Sequence, residues 1–239
     1  MKLSINKIYK GTIVNFDFSK FFARYESLRA QADQVFEKIK NQYTDCVKCK
    51  LECSDCCYAL FDLTLIEAIY LNFHFNKILP EDRKTQLIEL ANRADRMIYK
   101  LKKKAYKKFK LGTSESEILA ELAKERVTCP LLNSYNCCEL YEQRPITCRL
   151  YGIPISIAGK GHTCGLSEFK PGEPYNTVNL DAFQNKLIEL STELVRELKS
   201  KYIKMGEILV PVSMALLTTY DESYLGVSEK KDTFETKGK

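Results

Sequence analysis

Apolar residues return at spacings of three and four along much of this chain. Phe22, Tyr25, Leu28, Ala32, Val35, Phe36 and Ile39 fall on one stripe, which predicts an amphipathic helix over 19–43, with no Pro or Gly to break it. A second helix is predicted over 62–77. Asp62 or Thr64 would cap it, and Glu67, three residues after Thr64, would complete a capping box. Leu65, Ile66, Ile69, Tyr70 and Phe73 leave it hardly any polar face, so it belongs inside the protein. After Pro80 a third helix is predicted over 81–110, striped by Leu87, Leu90, Ala91, Ala94, Met97, Ile98, Leu101, Ala105 and Phe109 and stopped by Gly112. A short fourth helix starts at Ser114 or Ser116 and runs to about 126. Its first turn holds Glu115 and Glu117, as the helix dipole prefers. Leu180, Phe183, Leu187, Leu190, Leu194 and Leu198 predict the last long helix, over 179–205.

Between the stripes the pattern fades. Residues 1–18 are weakly patterned, with Ile13, Val14 and Phe16 suiting a short strand or a lead-in to the first helix. The cysteine segment 44–57 reads as loop. Residues 127–178, rich in Cys, Pro, Gly, Asn and Tyr, read as loop and turns with one strand at Tyr151–Ala158. So long an irregular stretch is uncommon inside a compact domain, and a bound metal is the usual organiser of one. Residues 206–217 suit a strand or a short buried helix. The expected architecture is mainly α: one helical bundle over 1–220 with an irregular Cys-rich metal-binding segment, then a flexible charged tail over 221–239.

Charge changes the picture little. Lys and Arg number 37 against 31 Asp and Glu, a net +6, and 45% of residues are hydrophobic. No apolar run reaches the roughly 18 residues of a membrane span, and the first residues lack the pattern of a signal peptide. A cytoplasmic protein with no membrane association is expected. Lys100, Lys102, Lys103, Lys104, Lys107, Lys108 and Lys110 crowd one helix end with Tyr106 and Phe109 between them. Such a strip can bind nucleic acid, but lysines also complement a helix C-terminus, and a solvated face is the favoured reading. There is no phosphate loop, no GxGxxG and no nucleophile elbow, and no carboxylate pair stands out.

Cysteine is where the chemistry concentrates. The ten thiols fall into two groups: Cys46, Cys49, Cys53, Cys56 and Cys57, then Cys129, Cys137, Cys138, Cys148 and Cys164. In a reducing compartment such grouping reads as metal-binding or catalytic. Two thiols separated by two residues can address one metal from a tight turn, in zinc knuckles and Fe–S loops alike. The adjacent Cys56 and Cys57 diverge, and more easily serve two metals or two corners of a cluster. Histidine is scarce. His74 reads as a core residue, whereas His162, in GKGHTCG, suits a loop position or a ligand equally.

CSDCC at 53–57, CPLL at 129–132 and CELYEQRPITCRLYGIP at 138–154 resemble the bacterial CxxCxxCC cysteine-cluster family (YkgJ-type), described as zinc- or iron-chelating or as Fe–S-cluster-containing. The resemblance covers roughly 45–168. It implies metal ligands at Cys53, Cys56, Cys57, Cys129, Cys138 and Cys148, with Cys164 as the trailing cysteine. The chain departs from the pattern at the first ligand: three residues separate Cys49 from Cys53 instead of two, and Cys46 is an outside candidate.

Those eight thiols would fill one or two [4Fe–4S] clusters or, alternatively, two four-thiolate zinc sites. Four thiolates around either group leave a net charge of −2, costly to bury uncompensated. Arg144 and Arg149 flank Cys148 and are the expected cofactor-binding cations; a plain ion pair with Glu142 is the simpler reading. Pro145 would open a short helix whose amides lower the pKa of Cys148. Tyr141 and Tyr151 would wall the site from water. The expected function is an Fe–S protein with a redox or protein-modifying role, by analogy with flagellin lysine methylases, which carry a similar cluster. A structural zinc scaffold and a metal-delivery or storage protein are the alternatives. Cys49-x3-Cys53-x2-Cys56 also has the spacing of a radical-SAM triple, although the βα repeats of the usual barrel are not visible. The expected partner is an unknown protein or redox partner.

Overall fold

The computed structural model describes residues 16–227, so the expected strand around Ile13 and Val14 lies outside the described residues, as does the chain beyond 227. The fold is mainly α, with eight α-helices among these residues and only short strands. α1 (Ser19–Gln42), α2 (Leu65–Ile78), α3 (Glu81–Lys110) and α4 (Glu115–Leu122) follow one another before the irregular region. That region holds the single-turn α5 (Ile146–Leu150) and strands β2 (Ile155–Ile157), β3 (Lys160–His162) and β4 (Val178–Asn179). α6 (Leu180–Glu197), α7 (Val212–Leu217) and α8 (Glu222–Leu225) complete the helices. Strand β1 (Asp62–Thr64) pairs antiparallel with β5 (Leu209–Pro211), and β2 lies between antiparallel β3 and parallel β4.

α2 is the hub. It is buried almost all round, and its few polar groups are matched by its neighbours. Asn72 donates to the carbonyls of Ala215 and Thr218 beside α7, and the Ile66 N–H donates to Ser191 Oγ of α6 at 3.1 Å. The core falls into two clusters either side of it. Phe21, Tyr25, Ile66, Leu150, Leu190 and Leu194 fill the space among α1, α2, α5 and α6. Leu71, Phe75, Leu87 and Leu216 fill that among α2, α3 and α7, joined by Leu131 and Leu140 from the cysteine-rich region.

Thr64 and Glu67 form the expected capping box. The helix starts at Leu65, not near 62, because Asp62–Thr64 is drawn into the strand pair with 209–211. Glu67 does more than cap. It is fully buried, and its second oxygen accepts the N–H of Ile146 at 3.1 Å, tying the start of α2 to the start of α5.

Elsewhere the boundaries move for identifiable reasons. α4 ends at Leu122, and α6 ends at Glu197, where Lys199 turns the chain through a positive φ of 54°. Residues 206–217 hold both expected alternatives, β5 and then α7. The segment from 221 is not tail at its start: α8 forms, Leu225 is 0% exposed, and the Gly226 carbonyl accepts the Lys201 N–H at 2.9 Å. The α3 stripe is fully buried only through Ala94; Met97 and Phe109 lie open.

Candidate metal centre

All ten cysteines are thiols. Eight of them, Cys49, Cys53, Cys56, Cys57, Cys129, Cys138, Cys148 and Cys164, line two adjoining cavities of about 50 and 20 Å³. Cys57, Cys129 and Cys138 border the larger cavity and Cys49, Cys53 and Cys164 the smaller, while Cys56 and Cys148 border both. Cys46 packs against the first core cluster, and Cys137 donates its N–H to the Asn133 side chain; neither borders these two cavities.

The backbone explains the gathering. Cys56 and Cys57 sit on one 3₁₀ turn, Asp55–Tyr58, where successive side chains point about 120° apart. The Cys129 N–H donates to the Cys57 carbonyl at 2.7 Å, and Leu132 bridges Cys138, so one frame carries three thiols. A second frame forms where the Glu168 N–H donates to the Cys46 carbonyl at 2.9 Å and Gly152 packs on Cys49. α5 brings Cys148 in from the α1 side.

Arg144 borders both cavities. Its Nε donates to the Tyr141 carbonyl at 2.8 Å, and its guanidinium lies 3.5 Å from the Tyr141 ring centre. Arg149 borders neither. It is buried and committed to Asp33 at 2.6 Å and to the carbonyls of Arg144 and Glu142, so its role is to brace α5 against α1. The simpler reading, an Arg ion pair with Glu142, is not what forms: Arg149 bonds the Glu142 backbone oxygen and its ion pair is with Asp33.

The thiols are electrostatically unequal. Hydrogen bonds from Cys148 and Cys57 hold Cys56 well below the usual thiol range, whereas Cys57 and Cys148 are pushed up by bonding to it and by burial. The rise at Cys148 runs against the expected fall: α5 has a single turn, and the hydrogen bond to Cys56 and burial dominate. Burial pushes Cys129 up to about 12, Cys138 to about 11 and Cys164 to about 11, and also raises Cys49. Protons leave such thiols when a metal takes their place.

Asp55 and Arg126 were not singled out by the sequence reading. The Arg126 guanidinium bonds Asp55, which also accepts the Cys164 thiol at 3.3 Å. Burial raises the Asp55 carboxyl, but the bonds from Arg126, Cys164 and Tyr151 outweigh it and hold it low. Its place inside the Cys53–Cys57 run was the available signal. Tyr151 borders the smaller cavity. His74 is half-buried against Tyr70 and Phe73, and His162 is exposed on β3. The triple Cys49, Cys53 and Cys56 shares the smaller cavity with Cys148 and Cys164, more thiols than the three a radical-SAM site uses.

Among the described residues, no three metal-ligating side chains converge on the position of a single ion. The thiols instead ring two spaces, and a soft, all-sulfur donor set of this kind fits Fe–S clusters or zinc. No helix among the described residues is long and apolar enough to cross a membrane. No family model, curated protein or solved structure matches the chain. The resemblance to the cysteine-cluster family therefore stands on the cysteine motifs alone.

Proposed function

We propose that this chain is a cysteine-ligated metal protein, holding its metal as an iron–sulfur cluster in a cytoplasmic redox or protein-modifying role. The observation that carries this reading is that eight thiols from two separate stretches of chain line two adjoining cavities. Four thiolates hold each common cluster type at the corners of a body of finite size, and thiols ringing a space suit that better than one point-like ion. A bound cluster would supply one-electron transfer. The chain supplies the thiolates, the Arg144 guanidinium to offset their charge, and apolar walls such as Leu71, Ile98 and Val127 to limit water.

Metal and sulfide analysis of protein purified without oxygen tests this. Iron and sulfide in equal amounts, with absorption near roughly 400 nm that bleaches on reduction, is the expected result. Colourless protein with stoichiometric zinc would replace it with the structural-zinc reading.

A further inference from the structure

We propose that the eight thiols form two separate metal centres, one in each cavity, with Cys56 and Cys148 in the wall between them. This rests on the metal-centre reading above. Three thiols belong to the larger cavity alone (Cys57, Cys129, Cys138) and three to the smaller alone (Cys49, Cys53, Cys164), and two face both. Giving one wall thiol to each side makes two sets of four, the number that a [4Fe–4S] cluster takes.

The scaffolding is divided in the same way. The Cys129-to-Cys57 backbone bond and the Leu132–Cys138 bridge hold the first set together. The Glu168-to-Cys46 bond and the Gly152–Cys49 contact hold the second. The two frames meet at the Asp55–Tyr58 turn, where Asp55 accepts the Cys164 thiol at 3.3 Å. The 3₁₀ turn accounts for the split at its centre: Cys57 turns into the larger cavity while Cys56, one residue earlier, lies in the wall. Arg144, the one cationic side chain bordering both cavities, is placed to offset thiolate charge on either side.

The test is metal content per chain after anaerobic reconstitution with ferrous iron and sulfide, or with zinc alone. Cys57→Ser and Cys129→Ser should each halve the content, as should Cys53→Ser and Cys164→Ser. The Cys57→Ser/Cys53→Ser double variant should lose all of it. If a variant with wild-type circular dichroism loses all its metal through one substitution, the thiols serve a single centre and the two-centre assignment is overturned while the metal reading stands. A wild-type chain that takes up neither metal overturns both. Where a variant does not fold, stepwise chelation of the unaltered protein, with mass-spectrometric mapping of alkylated cysteines, replaces it. Cys57, Cys129 and Cys138 should be freed at one chelator concentration and Cys49, Cys53 and Cys164 at another. Release of all six together counts against two centres.

Discussion

Gly152 stands behind Cys49 with no room to spare. A Cβ there would lie 2.5 Å from Cys49 Cβ, 3.1 Å from its Sγ and 3.4 Å from the Phe36 ring. Carbon atoms settle about 3.5–4.0 Å apart, so the first contact overlaps by about an ångström. The Cβ of Cys49 is fixed by its backbone, and no rotamer relieves the clash. Overpacking of this kind costs ~1–3 kcal/mol, and alanine's narrower unfolded ensemble returns ~0.4–1 kcal/mol. A contact that only backbone movement relieves belongs near the upper end, for a net loss of about 2 kcal/mol and a Tm lower by about 4–8 °C. Gly206→Ala is the control: its Cβ would meet the Thr192 backbone at 2.6 Å, away from the thiols. Both variants should melt early in a thermal scan of the metal-free protein. Only Gly152→Ala should also change the rate at which Cys49 is alkylated, read by mass spectrometry. A Gly152→Ala protein with wild-type Tm and unchanged Cys49 labelling would refute the view that this glycine sets the position of the smaller cavity.

Two further predictions follow from buried groups. Burial raises the Glu67 carboxyl above its ordinary value against the bonds from Thr64 and Ile146. The folded protein therefore holds this proton more tightly than the unfolded chain, and the contribution to stability is full below about pH 4.3 and is lost as pH rises through the raised value. In urea titrations the stability of wild type relative to Glu67→Gln should fall with rising pH, and a rise would contradict the sign. Gln presents a donor where Glu67 accepts, so the variant should also be less stable by ~1–3 kcal/mol. Truncation after Tyr220 should cost ~2–5 kcal/mol through loss of the fully buried Leu225, read as a lower urea midpoint; an unchanged midpoint would contradict it.

Much of the helical frame was legible because its signals are local. The α1 and α3 stripes, the Thr64–Glu67 box and the all-apolar α2 each lie within one helix, and propensity and burial agree there. The irregular region was not legible in the same way. The β2–β3 hairpin turns at Ala158 and Gly159, both with positive φ. Alanine rarely takes that conformation, and it is held by the Ala158 N–H donating to Asp181 of α6, a partner no local pattern shows. α8 was missed because four residues make no stripe, and its one apolar anchor is fixed by tertiary contact. The cysteine spacing pointed to the thiols that border the cavities. It did not show which thiols share a cavity, since that depends on backbone bonds between distant segments. Arg149 read as a counter-charge because it neighbours Cys148 in sequence, but one residue along a helix turns a side chain by about 100°, here toward Asp33.

The bond from Cys129 to the Cys57 carbonyl joins positions about 70 residues apart in the chain. Translation runs at about 5–20 residues per second, so the first cysteine group leaves the ribosome ~4–14 s before its partner is made. For that interval five thiols are exposed on a nascent chain without the frame that orients them, at their most open to oxidation or to the wrong soft ion. The order of synthesis therefore makes the thiol cluster a late assembly, complete only once the chain has been made through Cys164.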